Sequence, residues 1–108
     1  MIGLDMDGVY AAGFRVEQPF VIISGRTCDE FERTLRQVNE PNIAIYLRPF
    51  GAYGDSKSAA LWKAAVINAA EITDFYEDCP IQANYLMAHC VNCLIHRVDN
   101  GVYLGLWK

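Results

Sequence analysis

The chain contains no apolar run approaching the roughly 18 residues that a membrane-spanning helix requires. Its start, Met1-Ile2-Gly3-Leu4-Asp5, has neither a basic segment nor a long apolar stretch behind it, so no secretory signal is expected. Positive charge is also in short supply. Nine Lys and Arg stand against thirteen Asp and Glu, a formal charge of −4. This balance argues against a general nucleic-acid grip, which needs a basic surface to neutralise phosphates, but it permits a local basic pocket around one phosphate. Internal repeats and low-complexity segments are missing, which excludes a repeat array or a biased tail. With no signal segment or membrane span, the expected setting is cytoplasmic, and there the four cysteines read as reduced thiols and not as a disulfide framework.

What is present suits a folded domain. Hydrophobic residues make up 53% of the chain and charged residues 20%, enough apolar surface to offset the entropy of ordering. The length allows one domain, residues 1–108, around one core. Strand and helix signals alternate. Residues 2–4, 20–23, 43–47, 73–76 and 91–98 read as strands, most of them short apolar runs that suit buried parallel strands. Residues 27–38, 57–70 and 80–88 read as helices. Thr27 is the expected cap of the first, Phe31 and Leu35 its sheet-facing pair, and Pro80 the first-turn residue of the third. Asp99-Asn100-Gly101 predicts a turn into a possible sixth strand, 102–107. Residues 10–19 and 48–56 read as loops, Gly13 and Pro19 arguing against a helix in the first. The pattern predicts an α/β layered domain with a mostly parallel five-stranded sheet, whose ligands bind beyond the carboxyl ends of the strands.

The residues able to do chemistry fall at those ends. Asp5-Met6-Asp7-Gly8-Val9 follows the first strand, Ser24-Gly25-Arg26 the second and Glu77-Asp78 the fourth, with Lys57 ahead of the fourth. Attack on a phosphate needs a nucleophile, a metal to neutralise crowded anions, a proton donor and cationic clamps. Two acids two residues apart can turn into one cleft, and Gly8 permits a tight turn close to a substrate. Acids from the fourth strand can join them around Mg²⁺, a hard ion that takes oxygen ligands.

Ile2-Gly3-Leu4-Asp5-Met6-Asp7-Gly8-Val9 resembles the first motif of the haloacid dehalogenase (HAD) superfamily, and Val21-Ile22-Ile23-Ser24-Gly25-Arg26 resembles the second. Lys57 resembles the lysine of the third motif, and Phe75-Tyr76-Glu77-Asp78 the fourth, all in the family's order over residues 2–98. The resemblance implies a three-layer Rossmann-like fold, here with too few residues for a cap domain, and an Mg²⁺-dependent phosphomonoester hydrolase acting through an aspartyl-phosphate. Asp5 would be the nucleophile and a metal ligand. Asp7 would donate the proton to the leaving oxygen, then activate water, and bind the metal through its carbonyl. Lys57 would stabilise the intermediate. Ser24, Gly25, Arg26 and Gly8 would border the bound phosphoryl group, and Asp78 with Glu77 would complete the metal set. Family members usually place a squiggle, a flap and often a cap after the first motif; residues 10–19 have room for a reduced flap at most. The expected partner is a phosphorylated substrate, whether a nucleotide, a polynucleotide end or another phosphomonoester.

Other readings stand beside these. Lys63, the alternative to Lys57, lies deeper in its helix and reads as solvated. Arg26 suits a substrate contact or a surface ion pair equally. Tyr10, Arg15 and Arg48 read as loop surface. His89, Cys90, Cys93 and His96 have the residue types of a zinc site, but in a regular strand Cys90 and Cys93 point to opposite faces, which favours structural cysteines. A catalytically degenerate binding module, or an assembly subunit that forms a homo-oligomer through the apolar tail 102–107, are the alternatives to an enzyme. A phospho-accepting receiver domain is disfavoured, because no aspartate ends the third strand.

Overall fold

The first apolar run extends as β1 (Ile2–Leu4), and the chain leaves it through a single wide turn, Met6–Tyr10. The computed structural model describes residues 1–51 and 54–108; residues 52 and 53 of the expected loop 48–56 lie outside that description. Strands β2 (Phe20–Thr27), β3 (Ile45–Arg48), β4 (Asp74–Glu77), β5 (Leu94–Asp99) and β6 (Val102–Leu106) join β1 in one sheet of order β3-β2-β1-β4-β5-β6. The first five run parallel, and β6 returns antiparallel along β5. Asn100 (φ 48°) and Gly101 (φ 83°) form the two-residue link, a pair of positive φ values that Asn-Gly accepts readily. The winding reverses at β1, which has β2 on one side and β4 on the other. A crevice opens beyond the strand ends at such a reversal.

Helices α1 (Phe31–Gln37), α2 (Ser56–Ala69) and α3 (Pro80–His89) supply the layers. α2 is alanine-rich, and the Asp55 carboxylate caps it by accepting from the Ser58 N–H at 2.6 Å. Pro80 opens α3, where its missing N–H costs nothing. α2 and α3 bury Ile23, Ala64, Ile67, Phe75 and Leu86 on one face of the sheet. The wide turn after β1 and the end of α1 bury Leu4, Val9, Tyr10, Ile22 and Val38 on the other. Each large side chain removed from water in this way contributes about 1.5–3 kcal/mol.

Several boundaries differ from expectation. β2 runs on through Thr27, a tight turn over Cys28–Glu30 follows, and α1 begins only at Phe31. Thr27 makes no capping bond to the helix; its hydroxyl meets Asp29 instead. The later start alters which side of the helix meets the sheet. Phe31 and Leu35 are about half exposed, while Thr34 and Val38 take the buried positions. β5 starts at Leu94, leaving Cys90 and Cys93 ahead of the strand as free thiols. Among the described residues, no helix is long and apolar enough to cross a membrane.

Candidate functional site

Strand alternation assembles the site. Gly3, Ile23 and Phe75 point toward the α2 face of the sheet, so Asp5, Gly25 and Glu77, two positions further along each strand, fall on the same side. Gly25 lets α2 approach closely: a Cβ there would lie 3.3 Å from the Ala59 Cβ and 3.9 Å from Lys63 Cε. Lys63 thereby reaches the sheet. Its Nζ donates to Asp5 Oδ1 at 3.0 Å and to Glu77 Oε1 at 2.8 Å, with all three side chains buried. The Met6 N–H adds a second bond to Asp5 Oδ1 at 2.9 Å. Glu77 Oε2 accepts from the N–H groups of Asp78 and Cys79 at 3.1 and 3.3 Å, and the Glu77 carbonyl accepts from the Trp107 indole at 3.0 Å.

This arrangement corrects the lysine assignment. Lys57 is exposed in the first turn of α2, away from the acids, and Lys63 occupies the place expected for it. The reading of Lys63 as a solvated helix lysine is overturned, because it is 1% exposed. A signal for this lay in the sequence: Ala59 and Ile67, four residues to either side of Lys63, make it part of the apolar stripe of the helix.

The second acid of the motif is held differently. The Asp7 side chain is 66% exposed and is gripped by Arg26, whose Nη2 donates to Oδ1 at 2.7 Å and whose Nε donates to Oδ2 at 3.1 Å. Gly8 follows at φ +77°, a conformation that L side chains resist, and a Cβ there would fall 1.8 Å from Asp78 Oδ2. Gly8 thus makes room for Asp78. Ser24 is wholly buried, and its Oγ accepts from the Arg26 N–H at 3.1 Å. It does not line the cleft, contrary to its expected place beside a phosphoryl group. It shares strand parity with Ile22 and Arg26, which face away from α2.

The cleft measures about 510 Å³, and Asp5, Asp7, Gly25, Arg26, Lys63 and Asp78 are among its lining residues. Thr27 and Arg48 line it as well, which corrects the surface reading of Arg48; that side chain is 4% exposed and donates from Nε to the Gly25 carbonyl at 2.8 Å. Tyr10 is also buried, and Arg15 lies over its ring at 3.5 Å.

The electrostatics follow from crowding. Burial, then the neighbouring Glu77 charge, raise the Asp5 carboxyl well above its ordinary range, with Lys63 offsetting only part of the rise. Burial alone would raise Glu77 too, but Lys63 and the hydrogen bonds around it outweigh that and hold the group low. Lys63 is held above its usual value, its burial outweighed by the two carboxylates. Burial and Glu77 raise Asp78. Asp7 is lowered, first by its hydrogen bonds from Arg26.

The donor set fits a hard divalent cation. Asp5, Glu77 and Asp78 each offer a carboxylate oxygen, and the three lie within 4.8 Å of one another. Lys63 bonds two of the three carboxylates and not the third, leaving negative charge that a cation would offset. Among the described residues, the Cys90 and Cys93 region forms no such cluster. Comparisons of the chain with family models, curated proteins and solved structures return no match.

Proposed function

We propose that the protein is a phosphomonoester hydrolase of HAD type, working with Mg²⁺ through an aspartyl-phosphate on Asp5. The observation that carries this reading is the burial of Asp5 at the end of β1, pinned by Lys63 beside Glu77 and Asp78 at the floor of an open cleft. The single wide turn directly after β1 agrees with the squiggle that the family resemblance implies. Lys63, in place of Lys57, is the cation of the third motif.

Lys63 and the Met6 N–H both donate to Asp5 Oδ1, which fixes the orientation of the carboxylate. In the first step an Asp5 oxygen bonds to phosphorus as the ester P–O bond breaks, and Asp7 gives its proton to the leaving oxygen. In the second step Asp7 takes a proton from water, whose oxygen attacks phosphorus and frees Asp5. Lys63 holds the nucleophile in place and offsets its charge. Asp5, Asp78 and the Asp7 carbonyl would hold the cation, with Glu77 as the further carboxylate of the set and the partner that orients Lys63. A bound Mg²⁺ supplies charge neutralisation for phosphoryl oxygens entering this acidic site.

Turnover of p-nitrophenyl phosphate tests the reading. Activity with Mg²⁺ that is abolished by EDTA and removed by Asp5→Asn is the expected result. Equal turnover by the Asn variant would sink the nucleophile assignment. One observation favours a second reading, a phosphate-binding module without turnover: the Arg26 clamp holds Asp7 low, which works against its carrying a proton. Phosphate binding with no turnover of any ester would establish that alternative.

A further inference from the structure

We propose that Arg26 is a positioning residue for Asp7, its guanidinium fork setting where the Asp7 carboxylate stands at the mouth of the cleft; this rests on the phosphatase reading above. The contrast between the two side chains carries the inference. Asp7 sits on a kinked turn, 66% exposed, and both of its side-chain hydrogen bonds among the described residues come from Arg26. Arg26 is 7% exposed and is anchored independently of Asp7. Its Nη1 donates to Thr34 Oγ1 at 3.0 Å and to Gln37 Oε1 at 2.5 Å. Thr34 is itself wholly buried and donates to the Glu30 carbonyl at 2.9 Å.

A buried, multiply anchored fork thus meets an otherwise loose carboxylate. A bidentate pair fixes the direction of its acceptor as well as its distance. The role also accounts for α1. That helix turns Phe31 and Leu35 outward and presents buried Thr34, with exposed Gln37 beside it, to hold Arg26. Placement of this kind has kinetic weight, since a shift of about 1 Å in a reacting group costs on the order of 100-fold in rate.

The leaving group distinguishes positioning of Asp7 from a direct grip on the substrate. An alkoxide needs a proton as it departs, whereas p-nitrophenolate leaves as the anion. The value of kcat/KM reports steps through that departure, so water activation in the second step does not obscure it. With the full chain and Mg²⁺, Arg26→Lys keeps the charge and loses the fork. It is expected to lower kcat/KM for β-glycerophosphate about 100-fold and for p-nitrophenyl phosphate only about threefold, the larger loss being on the scale of general-acid catalysis. Gln37→Ala, on the exposed side of α1, loosens one anchor without threatening the fold and is expected to shift the same ratio about threefold.

Equal losses on both esters, or no loss on either, would overturn the proposal. If the wild type hydrolyses neither ester, the phosphatase reading is what fails. Crystal structures of the wild type and Arg26→Lys then decide the positioning claim: an Asp7 carboxylate displaced by more than about 1 Å supports it, and an unmoved one refutes it.

Discussion

Asp5 and Asp7 are two residues apart in sequence and occupy opposite electrostatic regimes. Asp5 is buried among two other acids, meets a lysine anchored on α2, and is pushed up. Asp7 is exposed, meets an arginine anchored on α1, and is pushed down. The short motif is therefore split between the two faces of the sheet, with one helix behind each acid. The difference teaches that burial decides the outcome: on the buried side desolvation and a neighbouring acid outweigh Lys63, while on the exposed side the hydrogen bonds from Arg26 prevail.

The most forceful way to break the comparison is to remove the cation on the buried side. Lys63→Met leaves Asp5 and Glu77 buried without their common partner, a change expected to cost about 3–5 kcal/mol. Lys57→Ala, on the exposed first turn, is expected to stay within about 0.5 kcal/mol. Urea denaturation of the two variants checks both values. If Lys57→Ala proved the more damaging, the division between the faces would be wrong.

A smaller effect sharpens the contrast from the acid's side. The folded state raises Asp5 above its unfolded value, so it binds the proton more tightly than the unfolded chain does. That contribution to stability is complete below the unfolded carboxylate range and is lost as pH rises through the raised folded value. Metal-free Asp5→Asn should therefore be more stable than the wild type at neutral pH, by about 1 kcal/mol, and should lose less stability between pH of about 4 and 8. Thermal melts in EDTA across that range measure it. Identical pH profiles would show that crowding does not burden Asp5.

The smallest expected effect lies at the far end of β4. There Asp74 accepts from His96 Nε2 at 2.8 Å, and Tyr103 meets Nδ1 at 2.8 Å. The His96 hydrogen bond holds Asp74 below its ordinary value, so its contribution is present above the unfolded carboxylate pKa and fades as pH falls through the lowered folded one. About a third of that side chain is exposed, which keeps the contribution under about 1 kcal/mol. Asp74→Asn is expected to lower stability at neutral pH by that amount and to converge with the wild type in acid, flattening the acid limb of the curve, which urea denaturation across pH measures.

Much of this arrangement was legible in the residues. The apolar runs ending in Asp5-Met6-Asp7-Gly8 and in Glu77-Asp78 identified strands and the end of the sheet where chemistry would gather, because strand burial and acid placement are local properties. What proved hard to read was rotation. Lys57 and Lys63 lie on one helix, and the apolar stripe through Ala59 and Ile67 that turns Lys63 inward competes with the ordinary solvation of a lysine. The same holds for α1, where four residues claimed by β2 and a tight turn carried Phe31 and Leu35 outward. Arg26 was ambiguous for a related reason: its partner Asp7 lies 19 positions away, and the groups that immobilise it, Thr34 and Gln37, reach it only once α1 has docked.

The indole of Trp107 donates to the carbonyl of Glu77, so one of the chain's two tryptophans borders the ionic cluster. Indole emission responds to nearby fields, which makes the protein its own optical probe: a cation entering among the carboxylates would change the charge beside Trp107, and occupancy would be readable as a shift in ultraviolet emission without any attached dye.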